Sequence, residues 1–181
     1  GQTGADILNN YTEEQLADVL YLYGELKNAR RLAKAIVNYR SSQRIETTGE
    51  LLTALGIDAK QENSQLSIVN SQLKKDMARL YQALRIEVNH EMDALRDMLK
   101  GATELLDEGG RLSVITYHSL EDRIVKNVMK AGNAEGKIEQ DFYGRISSPY
   151  RLVGKMITPS QEEQERNPRS RSAKLRIAEK I

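Results

Sequence analysis

Two stretches of this 181-residue sequence place chemically capable side chains where a fold would present them. The first is Thr116-Tyr117-His118-Ser119, which ends an apolar run and leads into a helical pattern carrying Glu121, Asp122, Arg123 and Lys126. In an open α/β sheet, ligands bind outside the carboxyl ends of the strands, where a following helix offers free N–H groups and its positive dipole end. His118 and Ser119 are therefore the candidate catalytic residues, at the border of a substrate pocket. A structural role is also open to them, with Ser119 as an N-cap and His118 as a rim residue bonded to backbone. A nucleophilic Ser–His pair is not expected, because neighbours at a strand end rarely face each other and no glycine-flanked elbow is present. The second stretch is Asn167-Pro168-Arg169-Ser170-Arg171-Ser172-Ala173-Lys174. Its guanidinium forks and hydroxyls suit phosphate oxygens, and a loop can follow an irregular RNA backbone. Asn167, Arg169, Arg171 and Lys174 are the candidate RNA-binding residues. The alternative is a loop salt-bridged to the neighbouring acids Glu162–Glu165.

Other chemistries are excluded by composition. With no cysteine there is no disulfide, thiolate metal site, cysteine nucleophile or iron–sulfur centre. The two histidines, His90 and His118, have no carboxylate companion at ligand spacing, so no metal is expected. His90 reads as an ordinary helix residue and Gly109-Gly110 as a turn, since no helix start follows it in the manner of a dinucleotide-binding loop. No apolar run approaches the ~20 residues of a membrane span, and GQTGADILNN is neither basic nor apolar enough for a signal peptide. A soluble, cytoplasmic protein is expected, without membrane partners. The net charge of +1 hides an uneven distribution: Arg166, Arg169, Arg171, Lys174 and Arg176 fall close together without an intervening acid.

The elements that must position these residues fall into two groups. Thr12-Glu13-Glu14-Gln15 matches a capping box, and Leu16, Val19, Leu20 and Tyr23 continue it at helical spacing to Gly24. A second helix is expected over 25–40 with Ala29, Leu32, Ala33, Ile36 and Val37 on one stripe, and a third begins at Thr47-Thr48-Gly49-Glu50. Residues 56–72 read as loop with a short helix. From Leu73 a three-and-four spacing returns through Met77, Leu80, Leu84, Val88, Met92, Leu95 and Leu99, predicting a long helix bent near Asn89 and followed by a short one at 102–106. At Arg111 the period changes to a buried strand over 111–117, followed by a helix, a mobile stretch 132–149, a strand over 151–157, a short helix after Ser160 and a last strand over 173–181 with one face wet. Helix, turn, apolar strand, helix is the grammar of an α/β layer with a parallel sheet. Three strands make a poor sheet, however, and the 111–117 strand reads as central without an upstream partner. The chain therefore reads as a piece of a larger α/β protein.

Taken together, YGELKNARRLAKAIV at 23–37, IETTGEL at 45–51, QALRIEVNHEMDAL at 82–95, GGRLSVITYHSLEDRIVK at 109–126 and ITPSQEEQERNPRSRSAKLRIAEK at 157–180 resemble the bacterial small-subunit ribosomal RNA cytosine-N4 methyltransferases, the MraW/RsmH family. HSLEDRIVK and NPRSRSAKLR are its most specific segments. Leu26 departs from the pattern, standing where many relatives have an acid. The resemblance implies an S-adenosylmethionine-dependent enzyme with a Rossmann-like class I methyltransferase fold interrupted by a helical insert. It implies that residues 1–78 are the inserted helical domain and 79–181 the C-terminal half of the methyltransferase domain, with about three strands. The half that holds the methyl donor is then absent, and no cofactor-binding residue is carried onto this chain. The implied reaction is methylation of the N4 amine of a cytidine in small-subunit ribosomal RNA, with that RNA or the small ribosomal subunit as partner. The alternative is a catalytically inert RNA- or ribosome-binding fragment, with self-association possible through an uncovered sheet edge.

Overall fold

Capping chemistry sets most helix starts. In the computed structural model, which describes residues 1–57, 67–138, 142 and 148–181 (side chains of 67–74 excepted), α1 (Gly4–Asn10), α2 (Glu13–Leu22) and α4 (Thr48–Ala54) each begin with a threonine whose hydroxyl accepts the third backbone N–H. The carboxyl or amide side chain at that third position reaches back to the cap in every case, a reciprocal bond pair. The boxes at Thr12 and Thr47 are those expected, whereas Thr3 with Asp6 and the helix they open were missed. Between α2 and α3 (Ala29–Arg40) the chain turns through Tyr23–Asn28. Glu25 lies in the left-handed region at φ 51°, so the second helix starts four residues later than the spacing predicts. Gly24 is required there, because a Cβ would sit 2.6 Å from the Leu20 carbonyl oxygen.

The long amphipathic pattern is two helices rather than one bent helix. α5 (Ser67–Asn89) ends at His90, whose φ of 50° is left-handed, and α6 runs over Glu91–Leu105. The Arg85 guanidinium donates to both Glu91 carboxylate oxygens at 2.9 and 3.0 Å across this break. The helix expected at 102–106 is the end of α6. Of the loop expected at 56–72, residues 58–66 lie outside the described residues, as do 139–141 and 143–147 of the stretch expected at 132–149.

The chain divides into two compact units, Gly1–Glu91 and Met92–Ile181. The expected domain boundary at 78/79 lies within α5. Unit 1 is all helix among the described residues, around a closed aliphatic cluster that includes Ile7, Leu16, Leu20, Ile36, Leu51 and Leu80. Leu26, the departure noted above, is buried with them.

Unit 2 is α/β, with three strands as expected and a different sheet direction. β1 (Arg111–Thr116) and β2 (Tyr150–Leu152) both pair antiparallel with β3 (Lys174–Lys180), giving the order β1-β3-β2. The parallel sheet is thus corrected: β1 and β2 share a direction, but β3 runs between them the other way. β3 holds the centre, and β1 pairs with no other strand among the described residues. The strand expected over 151–157 is the three-residue β2 plus a single bridge between Ile157 and Leu175.

Register assigns the faces. Leu112, Val114 and Thr116 lie beside Ala178, Arg176 and Lys174 on one face, under α7 (Ser119–Ala131) and its buried Ile124, Val125, Val128 and Met129. Ile115 and Leu175 lie together on the other face. The expected alternation of the last strand is therefore reversed, since the Lys174–Arg176 side meets α7. Those two cations are accommodated there because α7 supplies a carboxylate, Asp122. α8 (Gln161–Arg166) starts at Ser160 as predicted, its hydroxyl accepting from the Glu163 N–H, and a 3₁₀ turn over Pro168–Ser172 leads into β3.

Candidate nucleic-acid site at the end of the first strand

β1 ends at Thr116, and the next two residues point to different places. His118, not Ser119, is the N-cap of α7: its Nδ1 accepts the Glu121 N–H at 3.5 Å. Glu121 reciprocates, one carboxylate oxygen accepting the amides of Tyr117 at 2.9 Å and His118 at 3.3 Å. Its other oxygen lies 3.3 Å from His118 Nε2. That nitrogen is buried and makes no aligned hydrogen bond. The His118 imidazole is the main reason the Glu121 carboxyl is held below the ordinary glutamate range, with the Tyr117 amide adding to it and partial burial opposing. Ser119 is the first helical residue and is exposed.

One position on in α7, Asp122 clamps the helix to β3. Arg176 donates to both its oxygens at 2.7 and 3.1 Å, and Lys174 Nζ to one at 3.3 Å. The Arg176 fork is the largest cause of an Asp122 carboxyl held below the usual aspartate range, against the raising effect of burial. Lys174, a candidate RNA contact, is thus occupied by an internal ion pair.

On the opposite sheet face lies a cavity of about 260 Å³. Ile115 and Tyr117 form one wall, Leu175 and Ile157 line it as well, and Asn167 and Ser170 close it from the turn before β3. The Ser170 Oγ is buried without a hydrogen-bond partner among the described residues. The volume falls just under the ~300–1,000 Å³ of sites for drug-sized ligands. An aromatic wall, an apolar floor and a few polar groups suit one planar, polar-edged ring. Beside it, Arg169 and Arg171 are exposed and make no ion pair among the described residues, while the neighbouring Arg166 pairs with Glu163 within α8. The acidic run therefore does not neutralise the 3₁₀-turn arginines.

Of the candidate residues, Asn167 lines the cavity at the end of β1, Arg169 and Arg171 flank Ser170 in the 3₁₀ turn, and His118 and Ser119 do not line the cavity. Sequence reasoning included Tyr117 and Ser170 in its two stretches without singling them out. Strand alternation held the signal for the first, since residue 117 must face away from 116 and 118; the second was grouped with the other hydroxyls as a phosphate contact, and nothing marked it as a cavity residue. No cluster of three or more potential metal ligands occurs among the described residues, and none of their helices is long and apolar enough to cross a membrane.

Against known proteins, the model of the MraW methylase family matches residues 1–181. The ribosomal RNA small subunit methyltransferase H of Bacteroides thetaiotaomicron is 59% identical over 181 residues, covering 99% of this chain and 57% of that protein. Its namesake in Bacteroides fragilis is 58% identical with the same coverage, and that of Cytophaga hutchinsonii 46% identical over 179 residues, again covering 99% and 57%. The chain thus spans little more than half the length of these curated relatives.

Proposed function

The chain belongs to the MraW methylase family, and from that premise we propose that it acts in S-adenosylmethionine-dependent methylation of the N4 amine of a cytidine in small-subunit ribosomal RNA, in the cytoplasm. The observation that carries this reading is the convergence of Tyr117, Asn167 and Ser170 on one small cavity beside Arg169 and Arg171, which make no ion pair among the described residues. A cytosine is a planar ring with a polar edge, and it must leave its stack to be modified. Tyr117 supplies a stacking face, Asn167 and Ser170 supply edge-directed polar groups, and the two arginines take the flanking phosphates. The exocyclic amine is a weak nucleophile because its lone pair is delocalised into the ring. Orientation and an acceptor for its N–H therefore dominate the task. His118 and Ser119 sit at the head of α7; with Nδ1 accepting the Glu121 N–H, the ring proton is on Nε2 beside the Glu121 carboxylate, so the part we propose for His118 is to hold the turn that presents Tyr117 to the cytidine.

The methyl donor, when bound, supplies a sulfonium methyl. The one Gly-Gly turn does not fit it, having both amides engaged, Gly109 donating to the Lys180 carbonyl and Gly110 to that of Asp107, each at 2.9 Å. The donor site is assigned to the portion of the relatives' length that this chain does not span. A second reading, RNA binding without methyl transfer by this chain alone, is favoured by that coverage and by the outer edge of β1, which is open among the described residues to a strand from elsewhere or from a second copy.

His118→Ala in the full-length enzyme should slow single-turnover methylation of the small-subunit RNA; an unchanged rate removes His118 from the site. Arg169→Ala with Arg171→Ala should weaken RNA binding and flatten its salt dependence. Calorimetry of the 181-residue chain with S-adenosylmethionine should show no binding, and binding would overturn the placement of the donor.

A further inference from the structure

We propose that the helical unit carries an RNA-backbone groove of its own, in which Lys27, Arg30 and Arg31 hold phosphates and Tyr21 stacks on a base. This deepens the reading of the chain as acting on RNA and rests on it. The groove measures about 650 Å³ and lies between the outer side of α2 and the start of α3. Among the described residues, its charged lining is Lys27, Arg30 and Arg31 against the single carboxylate of Asp18. None of the three cations makes an ion pair or side-chain hydrogen bond among the described residues. Tyr21 opens onto the same groove and is 62% exposed.

The scaffold under these side chains is fixed. The Leu26 N–H donates to the Leu20 carbonyl at 3.2 Å, the Gln82 amide donates to the Tyr23 carbonyl at 3.2 Å, and Gly24 is enclosed by backbone on two sides. Three cations without an ion pair among the described residues, gathered on one concave surface, favour a polyanion, whose binding releases the counterions that otherwise screen them. An acidic peptide or an anionic lipid surface would meet that need without using an aromatic face. A cationic groove with an exposed ring at its wall is instead how single-stranded nucleic acid is held, phosphates on the cations and a base on the ring. The site lies on a different unit from the β1-end cavity and involves none of its residues.

The test is fluorescence anisotropy of a labelled, mixed-sequence single-stranded RNA decamer titrated with the whole 181-residue chain at several salt concentrations. All substituted positions are exposed, and a thermal melt verifies the fold of each variant. R30A/R31A should bind about tenfold more weakly or worse, with the slope of log K against log salt reduced by about 1.4, since each lost single-strand phosphate contact removes about 0.7. Y21A should bind about fivefold more weakly or worse at an unchanged slope, and Y21F should restore binding, because stacking needs the ring and not the hydroxyl. Parental slope and affinity in R30A/R31A overturn the groove. If R169A/R171A is weakened in the same assay, the reading of the β1 end survives that result; if neither pair has an effect, both fall. Competition by polyglutamate as effective as that by RNA at equal charge also overturns the proposal, in favour of an acidic protein segment.

Discussion

The two units solve the problem of a lean aliphatic core in different ways. Unit 1 closes most of its apolar surface on itself: one cluster from Ile7 to Leu84 gathers most of its buried side chains, and reciprocal caps satisfy the starts of α1, α2 and α4 around it. Unit 2 buries one face of a three-stranded sheet under α7 and leaves Ile115, Tyr117 and Ile157 substantially exposed on the other. An exposed apolar sheet face marks a surface made to meet something. In unit 1 the apolar residues are used mainly for stability and contact is left to charged and aromatic side chains on its surface; in unit 2 part of the apolar set itself is held for contact. The comparison breaks most sharply if a core truncation in unit 1 is tolerated. Leu20 is fully buried, and Leu20→Ala should cost about 2–5 kcal/mol in urea unfolding followed by amide exchange of unit 1, the spread depending on how far the cavity collapses.

The next effect concerns the charged fastening of unit 2. Asp122→Asn leaves the Arg176 guanidinium, itself largely buried, without its bidentate partner, and should destabilise unit 2 by about 2 kcal/mol. The same group gives a pH dependence with a definite sign. The Asp122 carboxyl is depressed in the folded state, so its contribution is fully present above the ordinary aspartate value of about 3.9 and is lost as pH falls from there through the depressed value. Acid titration of the parent chain should show unit 2 weakening over that window, and Asp122→Asn should flatten that part of the profile. A parent and variant that lose stability in parallel would remove the clamp from the account.

Legibility in the sequence follows the same division. Caps are local, so Thr12 with Gln15 and Thr47 with Glu50 announce their helices from four adjacent residues. The place of the break at His90 is announced as a bend near Asn89, but its left-handed residue, like that at Glu25, is not, because that region is normally signalled by glycine or asparagine and neither position carries one. His90 is stabilised in part by a pairing, Arg85 with Glu91, that also reads as ordinary surface charge. In unit 2, strand direction and the choice of wet face depend on partners far along the chain. Lys174 and Arg176 look solvent-facing until Asp122, more than fifty residues upstream, is seen beneath them. For the site, Asn167 was named from the sequence and the parity of Tyr117 was readable there, while the approach of the turn before β3 to the end of β1 depends on pairing that only the fold displays.

A smaller effect tests the capping argument. Thr12→Ala removes the acceptor for the Gln15 N–H at an exposed helix start and should cost about 1 kcal/mol, measurable as a lowered urea midpoint at constant slope.

The smallest effect, that of Ile115→Ala, sharpens the comparison at adjacent residues of one strand. Val114 is 9% exposed and lies on the α7 face, while Ile115 is 56% exposed on the opposite face. Val114→Ala removes two buried methyl groups' worth of apolar surface and should cost about 1–2 kcal/mol. Ile115→Ala removes a larger side chain and should nevertheless stay within about 0.5 kcal/mol in the 181-residue chain, because most of what it removes is already in water. If the two substitutions cost the same in this chain, the Ile115 face is covered and the division between a self-contained unit and an open one fails. If they differ as stated, Ile115→Ala becomes the probe for whatever meets that face: its cost should rise toward that of Val114→Ala in the full-length enzyme, where the remaining length of the relatives is available to cover it.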